Sequence, residues 1–366
     1  MRALPLLAIA ACAGPTGTAQ TWPPSLGVTI AAATFADLDG DGALDIAIAA
    51  TGGKAGEGLY LVKGGTDWDG ATIRSFSRFV PHVLADVAAL AIVGDTLALA
   101  YTVKGTATLE TLDRVTLATI DKTALSIASK QHLAITAVEL PGGMPRAAIL
   151  GDDDIVQVDL AAPAALHEIP PPSGTKWLQP QTALAFADGA LAVATATQSY
   201  RSILGATPPA YQTLRPAGDT AALTAQTAVA LSTTAGARIT AIMGIDVAGK
   251  RLCAIDVTAT IGAACFAISI DPTARFAIAS GALDARPGTD VSIVEAGAKT
   301  TVIVTYMNLA LDGAVLTSGS LIGAGGVHVP VTSPIVTVVP AIPGLPAHLF
   351  ALGIDGQTAC LGMANC

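Results

Sequence analysis

The sequence predicts an all-β chain: a seven-bladed β-propeller of four-stranded antiparallel blades, with eight blades as the alternative. Three observations predict it. A unit of apolar strand, turn and apolar strand recurs seven times at a nearly constant period. The strands are written in small and β-branched residues, with aromatics at only 4% of the chain, a composition suited to thin, closely stacked sheets. The densest cluster of charge, an aspartate-rich stretch near the N-terminus, falls between two such strands.

The chain begins "MRALPLLAIAACAG". One Arg, a short apolar run and then small residues are the ingredients of a secretory signal. "IAAC", from Ile9 to Cys12, resembles the bacterial lipobox. That resemblance implies a lipidated Cys12 as the first mature residue. "AGPTGTAQTWPPS" follows and suits a flexible tether. An ordinary signal peptide cleaved after Ala19 fits the same features. Both readings export the protein, to a bacterial cell envelope. There it is held at the outer membrane or cell surface by the lipid, or is periplasmic or secreted without it. Residues 1–23 are therefore assigned to signal and tether, and 24–366 to a single propeller domain. Beyond the first dozen residues no apolar run reaches the ~20 residues of a spanning helix.

The aspartate stretch is "FADLDGDGALDIAIA", from Phe35. Counted from Asp37, carboxylates fall at positions 1, 3, 5 and 9: Asp37, Asp39, Asp41 and Asp45. Gly40 and Gly42 allow sharp turns. Hard oxygen donors at this spacing suit Ca2+, with a backbone carbonyl, here that of Ala43, at position 7. An EF-hand would need an acid at position 12, where Ile48 stands. Leu44, Ile46 and Ile48 alternate instead, which is a strand signal. The competing reading is a solvated acidic turn without an ion. Through Phe35, Asp37, Asp39, Asp41, Gly42 and Asp45, the stretch resembles the FG-GAP or VCBS repeat of integrin α-chains and many bacterial surface proteins. The resemblance implies a structural Ca2+ in a loop between two strands of a propeller blade.

Without the acids, the hairpin recurs. The centres of the second strands are Ile46, Ala98, Ala148, Ala192, Ala241, Ser292 and Phe350, spaced 44 to 58 residues apart. Four-stranded blades need roughly 40 to 50 residues each. The last interval is the longest and contains "LDGAVLTSGSLIGAGGVHVPV", read as an insertion or the start of an eighth blade. An ungapped overlay of the sixth hairpin on the first aligns Asp284 and Asp290 with Asp39 and Asp45, and puts Arg286 in place of Asp41. A guanidinium between two carboxylates would replace an ion there.

Four cysteines follow Cys12. An even number in an exported chain suggests disulfides, with three possible connectivities. Local pairing is simplest: Cys253 with Cys265 across a hairpin, and Cys360 with Cys366 around a short C-terminal loop.

Composition excludes some functions. A net charge of -9 and the lack of any Lys/Arg cluster argue against nucleic acid. The five histidines are scattered, and neither HExxH nor GxSxG occurs. "SGTK", Ser173 to Lys176, has the spacing of a Ser–Lys nucleophile but follows "PPP" as a loop would. "GDDDI", around Asp152, reads as a solvated turn. Two function classes remain. The first is a monomeric, surface-anchored binding or scaffold module for a protein or glycan ligand, touching membrane only through its lipid. The alternative is an exported propeller enzyme, a hydrolase or lyase, with a site at the channel mouth.

Overall fold

The computed structural model describes Gln20–Thr21 and, with short gaps, residues 28–171; from 183 to 362 it describes the strands. β1 (Gln20–Thr21) precedes the first sheet, which comprises β2 (Thr29–Ala36), β3 (Asp45–Thr51), β4 (Gly58–Val62) and β5 (Arg78–Pro81). The second holds β6 (Ala88–Val93), β7 (Thr96–Val103), β8 (Thr106–Asp113) and β9 (Thr119–Ala128). The third holds β10 (Ala134–Val138), β11 (Arg146–Leu150), β12 (Ile155–Asp159) and β13 (Leu166–Ile169). The fourth holds β14 (Ala183–Ala187), β15 (Ala190–Ala194), β16 (Ser199–Ile203) and β17 (Ala210–Leu214). The fifth holds β18 (Thr224–Ser232), β19 (Arg238–Asp246), β20 (Arg251–Asp256) and β21 (Ala263–Ala267). The sixth holds β22 (Arg275–Ser280), β23 (Val291–Ala296), β24 (Thr301–Asp312) and β25 (Val315–His328). The last is built from β26 (Ile335–Pro340), β27 (His348–Gly353), β28 (Gln357–Gly362) and β1.

Among the described residues there are thus seven antiparallel four-stranded sheets. Their first strands neighbour one another in turn, β2 beside β6, β6 beside β10 and onward to β26, which lies beside β2 again. This closed ring is a propeller, and β1 closes it by pairing Gln20 with Thr358 and Thr21 with Gln357. The propeller's strand pairing therefore begins ahead of the boundary expected at Pro24.

The seven residues that marked the repeat each lie on the second strand of a sheet, β3, β7, β11, β15, β19, β23 and β27. Where side chains are described, these strands are legible because both of their faces are buried: every residue of β3 is buried, and all but the ends of β7. Alternate residues serve opposite interfaces. Ile46, Ile48 and Ala50 pack towards Leu352 of the last sheet. Ala47 and Ala49 pack towards Leu97, Leu99 and Tyr101 of the second. On β7, Ala98 and Ala100 then face Ile149, Val156 and Val158 of the third. At the first-to-second and second-to-third joints these alanines sit beside Leu59, Leu61 and Leu109 of the third strands and pack against larger side chains of the next sheet. The outer strand β9 is exposed along most of its length, and Asp121 and Lys122 sit on this edge, where charge discourages further pairing.

The stretch read as an insertion is part of the sixth sheet. β24 and β25 are 12 and 14 residues long and pair along nearly their full length. The long final interval reflects elongated strands, which a period count cannot separate from extra chain.

β20 and β21 set Cys253 directly opposite Cys265. Opposed residues of an antiparallel pair have Cα atoms about 4.5–5.5 Å apart, within the range a disulfide spans. Cys360 is on β28, while Cys12 and Cys366 lie outside the described residues. Non-reducing peptide mapping of the chain is expected to recover Cys253 and Cys265 in one linked peptide. Reducing that bond should cost about 2–4 kcal/mol. Free thiols at both positions would reject the pairing.

Candidate metal centre

The loop from 37 to 44 joins β2 to β3 in the first sheet. It is shaped by its own carboxylates. Asp37 accepts from Gly40 N at 2.7 Å through Oδ1 and from Gly42 N at 2.9 Å through Oδ2. Asp39 Oδ1 accepts from Asp41 N at 3.2 Å, and Asp41 Oδ1 from Ala43 N at 2.7 Å. Gly40 and Gly42 have φ near +84° and +86°, a left-handed backbone that a Cβ would strain. Leu38, between the acids, is fully buried among the residues that join the first and second sheets, and pins the loop to the core.

Asp45 opens β3 and is fully buried. Its Oδ2 accepts from Leu38 N at 3.0 Å and its Oδ1 from Gly64 N at 2.9 Å. One side chain thus ties the acidic loop to the turn after β4. That turn, "KGGTDW" from Lys63, is built to press on the loop. A Cβ at Gly64 would lie 2.6 Å from the Leu44 carbonyl oxygen, so only glycine allows the approach. Trp68 Nε1 donates to the same carbonyl at 2.9 Å. Asp67, also buried, accepts from Lys63 N at 2.9 Å, from Ser75 Oγ at 2.7 Å and from Ser77 Oγ.

Oxygens of Asp37, Asp39 and Asp45 all lie within 4.8 Å of one another. Ligands at 2.3–2.6 Å from a common Ca2+ can be at most about 5 Å apart, so this donor set fits such an ion. Asp41 is not in the gathering: it is exposed, and its carboxylate turns back to the Ala43 N–H. A cation of the chain already reaches the group. Lys63 Nζ is 2.5 Å from Asp39 Oδ2. This bond holds the Asp39 carboxyl below its usual range and raises the Lys63 ammonium above its own. Burial pushes the Asp45 carboxyl up, and the charges of Asp39 and Asp41 push the same way, against the two N–H bonds. Three acids of the predicted loop therefore come together. The turn bearing Lys63, Gly64, Asp67 and Trp68 escaped sequence reading, although a Gly-Gly pair followed by an acid between two apolar strands is a signal for a tight turn.

A second polar cluster joins the first two sheets. Glu110, on β8, is buried. It accepts from Tyr101 Oη at 3.0 Å and from Thr119 Oγ1, and it meets His82 Nε2 at 2.8 Å and Lys122 Nζ at 3.7 Å. Burial alone would raise the Glu110 carboxyl, but Thr119, His82 and Tyr101 outweigh it and hold it low. His82, one of the scattered histidines, is thus a structural partner. Asp152 is buried as well, with Oδ2 accepting from Lys130 N at 2.7 Å. It ties two loops and is not the solvated turn expected of "GDDDI". Ser173, Lys176, Asp284, Arg286 and Asp290 lie outside the described residues.

No protein-family model matches the sequence, and no curated protein matches it. Solved structures do. BBS1N in complex with ARL6DN is similar with a TM-score of 0.53 and 13% identity, over 96% of this chain and 99% of that one. Hsv2 of Kluyveromyces lactis has a TM-score of 0.51 and 11% identity, over 90% and 91%. The extracellular domain of the one component system BT4673 from B. thetaiotaomicron has a TM-score of 0.50 and 11% identity. The match to BT4673 covers 95% of this chain and 40% of that one. At such identities the likeness speaks to fold alone, and that fold is the β-propeller.

Asp45→Ala should strand the Leu38 and Gly64 N–H groups in a dry site. The expected loss is about 2–4 kcal/mol, from two buried donors without partners. Asp45→Asn, which keeps one acceptor, should lose less. Urea unfolding measures both, and an Ala variant as stable as the parent would remove Asp45 as the tie between loop and turn.

Proposed function

We propose that this chain is an exported β-propeller whose first blade holds a structural Ca2+, and that it serves as a surface-anchored binding or scaffold module for a protein or glycan. The convergence of the Asp37, Asp39 and Asp45 carboxylates on one hairpin loop carries the reading. It agrees with the FG-GAP or VCBS resemblance of the same residues. Those three side chains would hold the ion, with the Ala43 carbonyl as a further oxygen donor on the same loop, while Asp41, expected among the ligands, would add its charge nearby. When bound, the ion neutralises carboxylates that otherwise repel. The chain supplies the rest: Asp45 fixes the loop against β4, Leu38 anchors it, and Gly40 and Gly42 let it fold back.

The wall of the ring favours binding over acid–base chemistry. Across the seven first strands the one charged residue is Arg275, at the start of β22. A hydrolase or lyase would need paired titratable groups converging on a substrate. Ligand recognition is accordingly assigned to the loops around the ring, where sequence can vary without touching the core. Anchoring is assigned to Cys12. Only residues 13–19 separate it from β1, a reach of at most about 25 Å when fully extended, so the module sits close to its membrane.

Two experiments test the reading. Melting in calcium should exceed melting in chelator, because the ion binds the folded state; at a hundred-fold excess over Kd the gain is about 2.7 kcal/mol. Equal melting temperatures would sink the calcium site. Separately, Cys12→Ser should yield an unprocessed or freely soluble product in cell fractionation, and normal processing with retained membrane association would rule out the lipid anchor.

A further inference from the structure

Lys63 brings a positive charge into the acidic loop from the next hairpin, and its backbone is clamped where it does so. Lys63 N donates to Asp67 Oδ2 at 2.9 Å, and Asp67 N donates back to Lys63 O at 2.8 Å. Asp67 is itself held by Ser75 and Ser77. The next residue, Gly64, is bonded to Asp45. The stem of Lys63 therefore starts from a fixed point beside the carboxylates, and its ammonium reaches Asp39 Oδ2 at 2.5 Å. The side chain is about one-third exposed, so it has room to swing into solvent.

Asp39 is one of the three acids whose oxygens gather. An oxygen engaged by an ammonium at that distance is compromised as a ligand for a divalent ion, and the two cations repel. We propose that Lys63 is a tethered competitor of the divalent cation: its ammonium holds the acidic loop together when calcium is absent and leaves Asp39 when calcium binds, a role that rests on the calcium site proposed above. The exchange makes and breaks no covalent bond. It trades one charge of the chain for two charges of the ion, at the cost of a local concentration of ammonium set by the short tether. The blade then keeps its shape without metal and takes up calcium only where calcium is plentiful. This suits a site that must not collapse during export.

The test compares the full chain with Lys63→Met, which keeps the length of the stem without its charge, by calorimetric titration with calcium chloride and by thermal melts. Lys63→Gln, an uncharged donor, is a second variant should the first fail to fold. The Met variant is expected to bind calcium about ten-fold tighter or more, since a like charge has left the site. The difference should shrink in high salt as the ammonium is screened. In chelator the variant should melt below the wild type, and in saturating calcium the gap should close. Calcium binding by the variant but not by the wild type would also support the competition. Wild type and variant binding calcium equally would overturn the role of Lys63 while leaving the calcium site in place. No binding by either would overturn the calcium site and the competition with it. Equal melting in chelator would overturn the holding role of the ammonium.

Discussion

The interior sheets of this propeller have to hide both of their faces, and the alternation of alanine with larger aliphatics is how they do it. In β7 Ala98 and Ala100 look one way and Leu97, Leu99 and Tyr101 the other, and in β3 Ala47 and Ala49 look away from Ile46, Ile48 and Ala50. Where the first three sheets meet, alanines thus pack against larger aliphatic and aromatic side chains of the next sheet. Little room is left for charge, which is only 13% of the chain, and among the described residues the enclosed carboxylates are few. Every enclosed carboxylate is then costly unless something satisfies it. Asp45, Asp67, Glu110 and Asp152 are each met by backbone N–H groups, hydroxyls or cations. They fasten loops and turns to sheets that are held by strand pairing within and by apolar packing between.

That same constraint explains how much could be read from the sequence. Second strands such as "LALAY" and "AAIL" are buried on both sides, so they print as uninterrupted apolar runs, and one residue in each run was enough to find the ring. The acidic loop was visible because charge is rare around it and because glycines flank its acids. What escaped was whatever depends on contact between distant segments. Nothing in the spacing of "LDGDGALD" reveals that Asp41 turns away. Nothing in it reveals that Lys63, a hairpin later, reaches Asp39. His82, just after β5, and Glu110, on β8, are 28 residues apart, so neither predicts the other in the sequence. The long hairpin of β24 and β25 reads in sequence as an insertion or an eighth blade, because strand length and added chain give the same interval.

The likeness to BBS1N, Hsv2 and the BT4673 domain extends over nearly the whole chain at identities of 11–13%. Proteins this far apart in sequence share a way of stacking sheets and need share nothing else. The distinctive chemistry of this chain is concentrated in one place, where the β2–β3 loop and the turn after β4 interlock through Asp45, Gly64, Trp68 and Lys63. Distinguishing features of a propeller are best sought at such joints, since the blades themselves are close to interchangeable.

The pairing of Gln20 and Thr21 with β28 has a kinetic consequence. The two partners are separated by almost the full length of the polypeptide, so the final sheet cannot gain its fourth strand until the most distant segments meet. Sheets rich in neighbouring hairpins can assemble early, because their contacts are local. Closure of the circle must wait, and contacts of such long sequence separation are slow to form. Until then β28 carries an open edge able to recruit a strand from another molecule. The shortest strand among the described residues is therefore the latch of the folding reaction, and the interval before it engages is when the chain is most exposed to aggregation.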